Sequence, residues 1–357
     1  MRFRLLALAC MCSAVLWSCA VEEDAPANQD DKMFLEAWLQ THHPDALRHG
    51  MGIYIINDLD TPEDGGTAVE KPCYARVTYT IRDLDGTVTT TSDIDIAKQL
   101  GEYEEANYYG PRVWAVRDGA VSKGIEDMLL GMVEGCSREA VIPGWLQTYN
   151  RYGTEEEYMA KVTGNSPLIY NVKVNEVTED IMQWQLDTMK AYSLKYLGGA
   201  EPEYEGFYYH VDAAGTGEAE DLHKDTTIFI NYTGMLLNGQ VFDTTDERIA
   251  KDNHIWSAGK TYAPVEVQMS DDSTQVKLDG NEVISGFSST LWRMKAMETG
   301  TGMFYSTMGY GTSGSGSIIP EYAPLLFKIQ LVEDPDAEEE EEEEEESGDG
   351  QENGTEE

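Results

Sequence analysis

Cysteine is scarce in this chain: five occur in 357 residues, and three of them, Cys10, Cys12 and Cys19, fall in the first twenty positions. That leaves Cys73 and Cys136, available either as one disulfide in an oxidising compartment or as two buried thiols. Basic residues are few as well. Against 66 Asp and Glu stand 25 Lys and Arg, a formal charge of -41, which argues against nucleic acid as a ligand. Beyond Trp17 no apolar run is long enough to cross a bilayer. Histidine is sparse, and no His, Cys and acid spacing resembles a zinc site; His42-His43, ahead of Pro44, read as a helix end. Asp58-Leu59-Asp60 and Asp93-Ile94-Asp95 lack an EF-hand loop, and GYGTSGSGS is followed by no phosphate-binding lysine. No metal or organic cofactor is expected.

The ends of the chain are compositionally distinct. MRFRLLALACMCSAVLWSCA carries Arg2 and Arg4 ahead of an apolar run from Leu5 to Trp17. That pattern is a targeting signal rather than structure. Leu16-Trp17-Ser18-Cys19 resembles a bacterial lipobox, which makes Cys19 the expected lipidation site; a secretory signal cut nearby is the alternative. Residues 1–18 are then a signal, 19–31 a tether, and the protein is anchored in a Gram-negative envelope by lipid rather than spanning it. At the other end, Glu338 to Glu346 is an unbroken acidic run, so 336–357 is expected as a disordered tail that cannot bury itself.

Between these ends the sequence repeats. Gly52-Ile53-Tyr54 matches Gly206-Phe207-Tyr208, and Tyr79-Thr80 with Gly86 matches Tyr232-Thr233 with Gly239. Gly124 and Met132 match Gly286 and Met294, and both copies close on similar strands, SPLIYNVKV and APLLFKIQL. Each copy opens with a helix: Phe34 and Trp38 sit one turn apart in the first, and Ile181, Trp184, Met189, Tyr192 and Tyr196 form a face in the second until Gly198-Gly199 stops it. A period of two then takes over. Asn238-Gly239 is a hairpin turn signal, and Ser285 to Met297 reads as a short amphipathic helix. The boundaries follow: 32–177 for the first copy with its helix, 178–204 for a linking helix, and 205–335 for the second copy.

In the second copy YTGMLLNGQVFDTT, EVISGFSSTLWRM and MGYGTSGSGSIIPEYAPLLFKIQL, in that order, resemble the FKBP-type peptidyl-prolyl cis–trans isomerases. The resemblance implies an α+β fold for each copy, a curled antiparallel five-stranded sheet around a short helix. It also implies a pocket lined by Tyr232, Phe242, Asp243, Val283, Ile284, Phe287, Tyr310, Ile319 and Phe327. Of these, Tyr232, Phe242, Asp243, Ile284, Tyr310 and Phe327 would carry catalysis. Val283, Phe287 and Ile319 would bind substrate, with Arg248 matching an arginine that partners the acid in the family. Clients would be polypeptides with X-Pro bonds, and the activity would assist folding of exported or envelope proteins.

Two departures stand out. Phe287 takes the place of the family's usual Trp, and the stretch 244–282 is longer than in compact members. The first copy has Thr89-Thr90 for the Phe-Asp pair, Ile125 for Phe287 and Ser122 for Ile284. It is therefore expected to be inactive and to act as a dimerisation module, a client-binding module or a spacer. The alternative for the whole chain is a non-catalytic, lipid-anchored binding protein that uses both copies as interaction modules.

Overall fold

A computed structural model of the protein describes residues 27–59, 65–223 and 226–335. The expected signal, Cys19, most of the tether and the acidic tail lie outside the described residues. Among the described residues no helix is long and apolar enough to cross a membrane.

The chain forms two antiparallel sheets with short helices against them, an α+β architecture. In the first sheet the strands run in the spatial order Leu47–His49, Ile53–Leu59, Ser137–Ile142, Leu168–Thr178, Cys73–Asp83 and Val88–Thr91, with Arg112–Val116 also paired to Cys73–Asp83. The second repeats that order: Pro202–Tyr204, Phe207–Ala213, Thr299–Phe304, Leu325–Val332 and Thr227–Leu236. Val241–Thr244 and Val265–Gln268 both pair with Thr227–Leu236, as two short strands pair with Cys73–Asp83 in the first sheet. At about 3.3 Å per residue, a strand of this length has room for two short partners end to end on one edge.

Among the described residues the sheets hold seven and nine strands, against the five expected. Each copy gains a short strand ahead of its first core strand. The long stretch 244–282 adds Lys277–Leu278 and Asn281–Glu282 to the second sheet.

Local chemistry explains the shared turns. Gly86 and Gly239 have φ of 93° and 92°, a region open to glycine. The preceding Asp85 and Asn238 side chains accept from the N–H two residues on. The helices Lys123–Leu129 and Ser285–Leu291 each press a glycine onto a strand: a Cβ on Gly124 would stand 2.2 Å from Ile142, and one on Gly286 2.2 Å from Phe304. The latter helix ends at Leu291, short of the expected Met297.

The leading helix spans Gln29–His42, beginning inside the expected tether, and buries Leu35 and Leu39. Phe34 is 61% exposed, so the buried row lies one residue along from the expected pair. The linking helix, Ile181–Tyr196, starts on an Asp180 side chain that accepts from the N–H groups of Met182 and Gln183. Its buried row is Ile181, Gln185, Met189 and Ser193, and Tyr196 is exposed. Strand Pro202–Tyr204 follows, inside the expected linker. Cys73 and Cys136 are free thiols, the first buried, and burial pushes the Cys73 thiol up.

Candidate functional site

A cavity of about 510 Å³ opens between the second sheet, the helix Ser285–Leu291 and the segment after Tyr310. Tyr232, Phe242, Asp243, Val283, Ile284, Phe287, Tyr310, Ile319 and Phe327 all line it. Strand register explains the near wall. Gly234 lies opposite Asp243 on one side and opposite Phe327 on the other, so hairpin and closing strand deliver Phe242, Asp243 and Phe327 together. The approach is close: a Cβ on Gly234 would stand 2.6 Å from the Phe242 ring and 2.8 Å from Phe327.

The apolar wall is an aromatic cluster. Phe327 packs edge-on to Phe287 at 5.1 Å between centroids, edge-on to Phe242 at 5.5 Å, and stacks on Phe304 at 5.9 Å. Tyr232 meets Phe287 edge-on at 5.6 Å. These geometries suit ring quadrupoles and hold each ring in one orientation. Phe287, at the base, occupies the end of the helix that Gly286 brings close to the sheet.

Polar groups adjoin this wall. The Tyr232 hydroxyl donates to Asp243 Oδ2 at 2.7 Å, and Lys260 Nζ donates to Asp243 Oδ1. Burial, then the Asp243 charge and hydrogen bond, push the Tyr232 phenol far above its ordinary range. Burial and the Asp243 charge also raise Tyr310, which is 39% exposed at the rim. Both hydroxyls therefore stay protonated, and able to donate, through neutral pH. Ile284 lies one residue ahead of its helix, and its carbonyl accepts from the N–H groups of Phe287 and Ser288.

Arg248 is a correction. It lies in the helix Glu247–Asp252, whose Asp246 cap turns it outward; its side chain is 89% exposed and pairs with Asp252 at 3.6 Å. Lys260 partners Asp243 instead. Nothing in a lone lysine within a long insertion marked it beforehand. The same stretch adds Leu278 and Glu282 to the lining, and the segment after Tyr310 adds Ser315 and Ile318.

The first copy fills the equivalent ground differently. Ile81 lies opposite Thr90, where Gly234 lies opposite Asp243 in the second copy, so the first copy has a side chain where the second has none. Arg151 donates to the carbonyl of Val121, the counterpart of Val283, and to buried Glu126 at 2.8 Å. Lys123 also reaches Glu126, at 3.0 Å. Such a charged cluster is unsuited to a proline ring.

Burial alone would raise the Glu126 carboxyl, but the Lys123 and Arg151 donors outweigh it and hold it below the usual glutamate range. A depressed carboxylate stabilises the fold above its unfolded pKa, and that stabilisation is lost as pH falls through the folded value. Glu126→Gln is expected to destabilise the first copy by about 3 kcal/mol at pH 7. The gap to wild type should narrow as pH falls below the ordinary glutamate range. Denaturant unfolding at several pH values reads this directly; a pH-independent gap would rule out the charged cluster as its source.

Comparison with known proteins bears on the second copy. Residues 218–332 match the family described as FKBP-type peptidyl-prolyl cis-trans isomerase. A probable FKBP-type peptidyl-prolyl cis-trans isomerase of Haemophilus influenzae is 28% identical over 128 residues, 36% of this chain and 42% of that protein. FK506-binding protein 1 of Dictyostelium discoideum is 27% identical over 107 residues, 30% of this chain and 79% of that protein. The outer membrane protein MIP of Legionella longbeachae is 31% identical over 127 residues, 36% of this chain and 43% of that protein. The chain thus spans less than half the length of the Haemophilus and Legionella relatives it matches. The ordered motifs and this match fall on one segment: residues 218–332 are similar to the FKBP-type peptidyl-prolyl cis-trans isomerase family.

Proposed function

We propose that the chain is a prolyl isomerase, acting through the cavity of the second copy on X-Pro bonds of exported or envelope proteins. The observation that carries this reading is the aromatic wall of Phe242, Phe287 and Phe327 in one cavity with the polar groups of Tyr232, Asp243 and Tyr310. Rotation about an amide is opposed by a barrier of roughly 18–20 kcal/mol set by resonance, and the uncatalysed X-Pro step takes tens to hundreds of seconds. No proton or covalent bond need move. The apolar wall grips the proline ring and strips water from the imide, which favours the twisted state in which resonance is lost. The Tyr310 hydroxyl and the Ile284 N–H bind substrate carbonyls on either side of the bond. Asp243, held by Tyr232 and Lys260, orients the wall near the rotating carbonyl. Each decade of rate needs only about 1.4 kcal/mol of differential binding, within reach of such a site.

The N-terminal pattern supports lipid attachment at Cys19 and residence in a Gram-negative envelope, and the Legionella relative named an outer membrane protein supports the same location. The first copy, which has Thr89-Thr90 for the Phe-Asp pair and a charged cluster at Glu126, serves as a non-catalytic module.

Isomerisation of X-Pro peptides by the purified full chain tests the reading. Phe242→Ala and Tyr310→Ala are each expected to lower kcat/KM by about tenfold or more. A folded wild-type chain showing only the uncatalysed rate would sink the enzyme reading and leave the pocket as a binding site.

A further inference from the structure

One stretch of the first copy, residues 105–112, touches three segments beside the candidate site of the second: the long insertion, the hairpin turn ahead of Phe242 and the segment after Tyr310. Glu105 pairs with His254 at 2.7 Å, in the long insertion. The Ala106 carbonyl accepts from Gln240 Nε2 at 3.1 Å, at the hairpin turn ahead of Phe242 and Asp243. Asn107 and Tyr108 hold Ser317: its hydroxyl donates to Asn107 Oδ1, and the Tyr108 N–H donates to the Ser317 carbonyl at 2.8 Å. Arg112 reaches Glu321 at 3.4 Å, and Tyr108 packs into the second core. One residue beyond Glu321, Tyr322 packs edge-on against Tyr74 of the first copy at 5.5 Å.

Ser317 and Glu321 lie on the flap, 310–324, whose other face supplies Tyr310, Ser315, Ile318 and Ile319 to the cavity. The flap has little regular structure of its own. It contains Gly311, Gly314 and Gly316, all at positive φ, and is braced internally by the Ser315–Ile319 bridge and by Tyr322 N–H to the Gly311 carbonyl at 2.9 Å. A glycine-rich loop loses much conformational freedom when ordered, and whatever orders it before substrate arrives removes that cost from binding.

We propose that the first copy clamps this flap, with Asn107 and Tyr108 as positioning residues that set the site for X-Pro substrates without touching them. The inference rests on the isomerase reading above. It makes the inactive copy a working part of the site, built from the loop that in the second copy carries Lys260.

The test uses the full chain. Tyr108→Ala removes the packed ring and Tyr108→Pro removes the N–H donor; Gln240→Ala/Ser317→Ala removes the neighbouring contacts to Ala106 and Asn107 from the other side, should either loop variant fold poorly. All are expected to raise KM for X-Pro peptides about tenfold with kcat little changed, in line with typical coupling between sites. Amide hydrogen exchange across 310–324 should quicken, and Tyr108→Phe should restore both. Unchanged KM in folded variants would overturn the proposal, whether or not exchange quickens, because the contact would then not serve the site. Should the wild-type chain not catalyse, the isomerase reading fails separately. Peptide affinity then replaces KM, and an unchanged affinity overturns the clamp.

Discussion

A single methyl group at Gly234 should cost the second copy most of the isomerase activity proposed for it. The Cβ of Gly234→Ala would lie 2.6 Å from Phe242 and 2.8 Å from Phe327, where carbon atoms prefer about 3.5–4.0 Å. Neither neighbour is the free end of a flexible chain. Phe327 is held by Phe287 and Phe304, so the Phe242 ring must yield, and it borders the cavity. Overpacking of this kind costs about 1–3 kcal/mol, and if that strain falls on the substrate-bound state, kcat/KM drops roughly ten- to hundredfold. Peptide isomerisation and thermal unfolding of the same variant separate pocket closure from a general loss of stability. Near-wild-type kcat/KM would show that the wall moves aside and that its close approach is not used. The first copy supports the expectation: with Ile81 in the corresponding register it carries Thr89 where the ring would be.

The second large effect is on stability. Phe327 is 5% exposed and touches Tyr232, Phe242, Phe287 and Phe304, joining the cavity wall to the second core. Phe327→Ala removes a buried ring from a cluster whose members are held by one another, so the space cannot close fully. The expected loss is about 3–5 kcal/mol, a large share of the 5–15 kcal/mol that a typical domain has in total. Urea unfolding of the full chain should shift the transition of the second copy and leave that of the first in place. Phe327→Leu, which keeps most of the volume, should recover more than half of the loss. A shift below about 1 kcal/mol for the alanine variant would mean that the cluster repacks and that Phe327 is only a wall residue.

The repeat was legible because it rests on short-range signals. Asp85-Gly86 and Asn238-Gly239 specify the same turn, and Gly124 and Gly286 recur where a helix must approach a strand within the reach of a missing Cβ. Alternating apolar residues in Thr227–Leu236 and Leu325–Val332 likewise announce strands, and ordered motifs point to the residues that line the cavity. Helix faces were read less well. In Ile181–Tyr196 the buried row includes Gln185, whose amide oxygen accepts from the Ser306 N–H at 2.8 Å, and Ser193, whose hydroxyl donates to the Ala200 carbonyl at 2.6 Å. A hydrophobicity pattern passes over such polar groups, because burial favours them only once a partner is in place.

The sequence alone pointed to a duplicated α+β chain, with the pocket motifs kept in one copy and altered in the other, since strand alternation, turn residues and motif order are written locally. The tertiary structure decided who partners whom. Arg248 faces solvent from its short helix, and Asp243 is paired with Lys260. The loop 105–112 meets residues up to 210 positions away in the chain. Such pairings depend on the rigid placement of one sheet against another, and no local spacing encodes that placement.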